Sequence, residues 1–197
     1  MAEARPGART PRQARAVETR QRVLDAAEKL LARTAPGGVT TRAVAEEAGV
    51  PVGTVYRYFA NAEGMLTALF DRFNAPTLEA LAHPLEAEDW RENVRRVFAV
   101  VRRAHERHPA YGALMTALGR QGGDGEIGSL IAARLREARA GLREDEAGLV
   151  ARITVAMVEA TERLVHERPS EERGALFAEG EKAVLAYLAE IMEGAGP

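Results

Sequence analysis

The sequence of 197 residues contains no cysteine, one tryptophan, and aromatic residues at only 5%. Without cysteine there is no disulfide, no thiolate-held metal and no cysteine nucleophile. Serine is nearly as scarce: Ser129 and Ser170 are the only two, and neither lies in a nucleophile motif. No apolar run approaches the ~20 residues that a membrane span requires. The arginines near the N-terminus are not followed by the apolar stretch of a signal peptide. A cytoplasmic location with no membrane partner is therefore expected. His105 and His108 share a helix face, but no third ligand is apparent, so neither a metal nor a cofactor is expected. Period-two alternation of β-branched residues is hard to find as well.

What is abundant is helix-forming chemistry: Ala, Leu, Arg and Glu dominate, with 46% apolar and 28% charged residues. The fold class expected from this is all-α. Net charge is −2, which alone argues against a nucleic-acid partner, yet the charge is unevenly placed. Residues 1–62 hold ten Lys/Arg against six Asp/Glu, a net of +4. Residues 63–197 hold seventeen against twenty-three, a net of −6. A basic reader joined to an acidic body fits that asymmetry.

Residues 1–15 carry Pro6, Gly7, Pro11 and four arginines without apolar period, and read as a disordered basic arm. A helix follows from about Ala16 to Arg33, with Val23, Leu24, Ala27, Leu30 and Leu31 on one face. Pro36-Gly37-Gly38 stops it. Thr40 or Thr41 caps a second helix, Arg42 to Ala48, which Gly49 ends. A third helix is expected from about Val52 to Tyr58, with Pro51 at its start. Asn61 caps a fourth near Ala62, which Pro76 should kink or interrupt. Further amphipathic helices follow at about 86–107, from Pro109, from Ile127 to Leu142, at 146–167, and after a cap at Ser170. The stretch 119–125, GRQGGDG, lacks the Lys-Ser/Thr of a phosphate loop and reads as a connection.

The segment Thr40–Leu66 carries the chemistry. A short second helix held across a first can lie in the major groove of DNA if its inner face is apolar and its outer face low. Val44, Ala45, Val50 and Val55 supply the inner face, Gly49 the turn, and Gly53 and Thr54 the low outer face. Pro51, Val52, Thr54 and Arg57 are placed to read bases, since an arginine can bond a guanine edge bidentately. Thr19-Arg20, Ala26-Ala27, Leu30, Thr41, Val44-Ala45, Ala48-Gly49-Val50, Gly53-Thr54, Tyr56-Arg57-Tyr58-Phe59 and Leu66 closely resemble, in kind and spacing, the DNA-binding domain of TetR-family transcriptional regulators. The resemblance covers roughly residues 17–66.

That resemblance implies about nine helices, the first three or four reading DNA and the rest binding a ligand and a second subunit. It divides the chain into an arm (1–15), a helix-turn-helix domain (16–62) and a ligand-binding and dimerisation domain (63–197). It places Thr41, Thr54, Tyr56 and Tyr58 at the DNA, with Arg42 and Arg57 as companions. Tyr and Thr hydroxyls are neutral donors suited to phosphate oxygens. One departure stands out: the family usually has a lysine where this chain has Ala62. Only backbone N–H groups and the helix dipole remain there for a phosphate, so Arg12, Arg15 or Arg20 is expected to compensate.

In the body, residues 146–167 are apolar on two faces and cannot bury both within one subunit. Together with the resemblance this implies a homodimer through the last two helices, with Val158, Val165, Val184 and Tyr187 as interface candidates. Two reading helices on a two-fold axis predict a palindromic double-stranded operator. Candidates for a pocket holding an unidentified small-molecule effector are Phe73, Trp90, Phe98, Arg102, Tyr111, Met115, Met157 and Glu162. For any one of the apolar members, plain core packing is the simpler reading. The function expected is a dimeric repressor released by a ligand. The alternatives are a ligand-independent architectural DNA-binding protein and a helical enzyme with an accessory DNA domain. No nucleophile motif or distinguishable carboxylate pair supports the enzyme.

Overall fold

The computed structural model describes residues 11–34, 36–82, 90–118 and 125–194. Among them are nine α-helices and one 3₁₀ turn and no strand: α1 (Pro11–Arg33), the turn Pro36–Gly38, α2 (Thr41–Ala48), α3 (Val52–Tyr56), α4 (Ala62–Ala82), α5 (Trp90–Arg107), α6 (Tyr111–Leu118), α7 (Glu126–Ala138), α8 (Glu144–Glu167) and α9 (Ser170–Glu193). The all-α expectation holds. The chain divides into two compact units between Asp71 and Arg72, nine residues beyond the boundary expected from the sequence and inside α4.

In the first unit α2 packs on α1 and α3 on α2. The inward stripe of α1 is the expected one, with Val23, Leu24 and Ala27 fully buried and Leu31 nearly so. Helix α1 begins at Pro11, five residues before the expected start. Proline suits a first helical turn, where its missing N–H has no partner to lose. Of the expected arm, residues 1–10 lie outside the described residues. Thr40, rather than Thr41, caps α2: its hydroxyl accepts the N–H of Ala43 at 3.2 Å. Gly49 closes that helix at φ 63°, and the Val50 N–H reaches back to the Ala45 carbonyl at 3.0 Å. The Asn61 cap on α4 is as expected, with Oδ1 accepting from the Gly64 N–H at 2.8 Å. Helix α3 stops at Tyr56 rather than Tyr58, because the Tyr58 and Phe59 N–H groups both turn back to the Val55 carbonyl.

In the second unit, α8 packs against α7 and α9, α9 also against α5, and α6 against α5 and α8. Its core gathers Phe98 and Val101 from α5, Leu135 from α7, Val150 and Val165 from α8, and Phe177, Val184 and Leu188 from α9. Three expectations change here. Helix α4 runs through Pro76 without interruption. One lost backbone bond is outweighed where Phe73, Thr77 and Ala80 on either side are all under 9% exposed. Leu142 lies beyond α7, past Gly141 at φ 94°, although it is still buried. Ser170 is the first residue of α9 rather than its cap; Pro169 holds the cap position without a side-chain bond. The expected connection 119–124 and the first turn expected at residues 86–89 lie outside the described residues.

Candidate functional site

The first candidate surface is the outer side of α2 and α3. Val55 is fully buried, which fixes the roll of a helix only five residues long. The opposite side then presents Pro51, Val52, Gly53, Tyr56 and Arg57 to solvent, with Val52 at 43% and Tyr56 at 55% exposure. The apolar faces of an exposed valine and tyrosine on so short a helix lie open to a partner. The Thr41 hydroxyl donates to the Tyr56 phenol oxygen at 3.1 Å. That bond joins the start of α2 to the end of α3 and leaves the phenol proton of Tyr56 to point outward as a donor. Arg42 is exposed beside it, while Thr54 and Tyr58 are half-buried at the margin. The sequence-expected set of Thr41, Arg42, Pro51, Val52, Thr54, Tyr56, Arg57 and Tyr58 thus lies on α2, α3 and the turn after α3.

A feature not foreseen adjoins it. Arg15, Ala16 and Thr19 of α1 and Arg57 and Tyr58 line one shallow depression. The guanidinium of Arg57 lies 5.4 Å from the Tyr58 ring centre. Two guanidinium groups and the Tyr58 hydroxyl around one concavity match a phosphate oxygen in charge and in donors, while the Thr19 hydroxyl already donates to the Arg15 carbonyl at 2.8 Å. Arg15, Arg57 and Tyr58 are each expected at DNA from the sequence; that they share one depression with Thr19 is not. Of the other arginines expected to compensate for Ala62, Arg20 stacks on Phe59 at 5.3 Å, and the side chain of Arg12 lies outside the described residues. At the start of α4 the Gly64 N–H is already taken by Asn61, and Glu63 is exposed in the first turn. That terminus is a poorer phosphate site than its dipole alone suggests.

The second candidate is a cavity of about 90 Å³ within the body, lined by α4, α5, α7, α8 and α9. Trp90 and Phe98, both expected at a pocket, line it, as does Val158, which the sequence reading had placed at a dimer interface. Ile131, Leu135 and Leu188 complete much of the wall and were not foreseen, because nothing in an amphipathic stripe separates a wall from a core. Its polar neighbours are engaged elsewhere. Arg134 donates to the carbonyls of Leu81 and Ala82 at 2.9 and 2.7 Å, and Thr154 donates to the Val150 carbonyl at 2.8 Å.

Phe73, Tyr111 and Glu162, also expected at the pocket, gather instead in a separate buried cluster. The Tyr111 phenol donates to Asn74 Oδ1 at 3.1 Å, and His105 Nε2 lies 3.4 Å from Glu162 Oε1. The imidazole of His105 packs 4.5 Å from the Tyr111 ring and 5.4 Å from that of Phe177, while Phe73 stacks on His108 at 4.1 Å. Burial, followed by the nearby Glu162 charge, pushes the Tyr111 phenol well above its ordinary range. Among the described residues no buried side-chain nitrogen or oxygen lacks a partner, so the cluster is complete in itself. His105 and His108 belong to no group of three or more metal-ligating side chains among those residues.

Other expected positions are corrected. Arg102 is exposed and pairs with Glu106 across 3.9 Å, so it lines neither cluster nor cavity. Met115 and Met157 are half-buried, the latter packed on the core. Val165 and Val184 are each 1% exposed inside the protomer and cannot form an interface; Tyr187 is half-buried against the same core. The large apolar side chains that α8 leaves in solvent are Leu149, Ile153 and Leu164, at 57%, 49% and 45% exposure.

A helix-turn-helix with a free outer face, followed by an all-helical domain with its own core and cavity, defines the class: a DNA-binding protein of the regulator type rather than an enzyme. Residues 23–69 match the family model for bacterial regulatory proteins of the tetR family, and residues 89–188 match the tetracyclin repressor-like C-terminal domain. The chain belongs to the tetR family. It is 37% identical over 57 residues to an uncharacterized HTH-type transcriptional regulator, YvkB, of Bacillus subtilis (strain 168). That match spans 29% of this chain and 30% of the relative. Among solved structures, a TetR-family transcriptional regulator from Streptomyces coelicolor superposes with a TM-score of 0.67 at 24% identity, covering 87% of this chain and 98% of the other. TetR from Acinetobacter baumannii AYE gives 0.60 at 23% identity, over 86% and 96%. These two share the fold. Among the described residues no helix is long and apolar enough to cross a membrane.

Proposed function

We propose that the protein is a homodimeric transcriptional repressor that binds a palindromic operator and is released from it by a small-molecule ligand. The observation that carries the DNA-binding part is the outer face of α3, where Val52, Tyr56 and Arg57 stand in solvent on a helix pinned by fully buried Val55. Arg57 and the N-terminal residues Pro51, Val52 and Thr54 read base edges in the major groove. Thr41, Arg42, Tyr56 and Tyr58 hold phosphates, with Arg15 as an added partner. The exposed stripe of Leu149, Ile153 and Leu164 supports the dimer, and the body cavity supports the ligand.

The test is footprinting of the full-length protein on DNA flanking its own coding sequence at physiological salt. Protection of a palindrome with half-sites about 10 base pairs apart, or a multiple of that, is expected. Protection without symmetry, unaffected by any metabolite extract, would favour a ligand-independent architectural role. No protection beyond that of random DNA of equal length would sink the proposal.

A further inference from the structure

Three features of the body compete for a function of their own. The Tyr111–Asn74–Glu162–His105 cluster is polar and buried, but its side chains already bond to one another. The groove of small residues between α7 and α8, around Gly128, Ala132 and Gly148, shows nothing that says what covers it. The cavity behind Trp90 is different, because its chemistry restricts its occupant.

We infer that the cavity takes a compact, uncharged, apolar molecule of about one ring, and that a charged ligand of the same shape is rejected. This deepens, and rests on, the ligand-released reading above. Aliphatic and aromatic carbon makes up nearly all of the wall, with Trp90, Val97, Phe98, Ile131 and Leu188 contributing most directly. The charged group at the rim, Arg134, already donates to two carbonyls of the last turn of α4 and pairs with Glu137. Among the described residues no buried donor waits unpaired. Asn93 also lines the wall, its Oδ1 accepting from Arg96. A carboxylate placed here would lose its water and gain at best a neutral donor such as the Asn93 amide unless Arg134 let go of α4, and an ammonium would find no carboxylate on the wall. A hydrocarbon loses nothing by the same transfer and gains the area it buries.

Size narrows the class further. An apolar protein cavity that holds benzene measures about 150 Å³, and such cavities stay dry when empty. At about 90 Å³ this one is smaller, so a single ring fits only by moving part of the wall. The carbonyls of Ala80 and Leu81 on that wall are held by Arg96 at 3.0 Å and by Arg134 at 2.9 Å.

The experiment uses toluene and benzoate, which share a ring and differ in charge at pH 7.5, with benzylammonium as the cationic counterpart. Trp90 is the sole tryptophan and lines the cavity, so its emission reports occupancy without a label. Saturable change with toluene is expected, with benzoate and benzylammonium at least tenfold weaker. Ala138→Leu and, separately, Val97→Phe fill the space and should abolish the toluene response. Thermal melts provide the second readout: toluene should raise the melting temperature of the unaltered protein and leave that of a folded filled variant unmoved. Equal or tighter binding of benzoate, a toluene response that survives in both filled variants, or no response in either readout would overturn the inference. Release of the footprinted DNA is scored in parallel. If toluene binds as expected yet the DNA complex persists at saturation, the cavity assignment stands and the ligand-released reading falls.

Discussion

Tyr111 shows how a single buried side chain ties the body together. Its phenol is 4% exposed, bonded to Asn74 and close to the Glu162 carboxylate, so burial and that charge both disfavour the phenolate. With the folded value raised above an ordinary value near 10, the contribution to stability is complete below pH 10 and is lost as pH climbs beyond it. Of the four tyrosines, Tyr111 should resist titration while the protein is folded. Absorbance at 295 nm followed against helical circular dichroism checks this: one phenol should ionise only as the helices melt, and Tyr111→Phe should remove that late phase. Ionisation of all four before any loss of helix would show that the cluster is open to water. The sequence pointed to Tyr111 as an inward aromatic but offered no sign of Asn74 or His105 as neighbours, because those contacts join α4, α5, α6 and α8 across many residues. At the DNA face the residue-scale test is Arg15→Ala and Arg57→Ala. Each should weaken binding, and if Arg15 meets a phosphate alone the slope of log affinity against log salt should fall by about 1 with little change in sequence preference. Arg57→Ala should also relax preference at one base position.

At the level of elements, the helices were legible and their ends were not. Periodicity located the longer helices because one face of each meets a core, while α2 and α3 are marked by Thr40-Thr41, Gly49 and Pro51. Ends depend on which polar group takes the last free N–H or C=O, and two threonines side by side leave that open until Thr40 is seen bonding to Ala43. The proline in α4 misled in the same way, since a local rule about one hydrogen bond was set against tertiary packing on both sides of it. The turn between α2 and α3 gives a clean test of local geometry. Gly49 has φ 63° and open space where a Cβ would stand, so Gly49→Ala introduces backbone strain and nothing else. A loss of about 1 kcal/mol is expected, read as a lower urea midpoint at unchanged slope. The same substitution at Gly37, which has equally open space and no positive φ, should be close to neutral.

For the whole molecule the proposed dimer raises the question of which side of α8 would face a second copy. The sequence shows two apolar faces on that helix and no means of ranking them, which is why Val158 and Val165 stand as interface candidates in the sequence although the fold turns them inward. In the fold the β-branched side is consumed by the protomer: Val150, Val155 and Val165 are all under 8% exposed. Leu149, Ile153 and Leu164, with Ala156 and Ala160 between them, form the other stripe at spacings of three and four residues. A soluble monomer has no use for three large apolar side chains in a row at about half exposure. Fully burying one such side chain is worth about 1.5–3 kcal/mol, and a two-fold interface counts each twice. Ile153→Glu should therefore raise the dimer dissociation constant by at least about 100-fold, since about 1.4 kcal/mol corresponds to each factor of ten. Sedimentation equilibrium across micromolar concentrations measures it. The protomer itself should keep its helical signal, because Ile153 is 49% exposed, whereas Val184→Glu, at 1% exposure within the core, should abolish folding outright. Affinity for a single half-site should survive Ile153→Glu while affinity for the palindrome collapses. If the variant remained dimeric with unchanged operator affinity, the stripe would have some other partner and the two-fold reading of the palindrome would lose its structural basis.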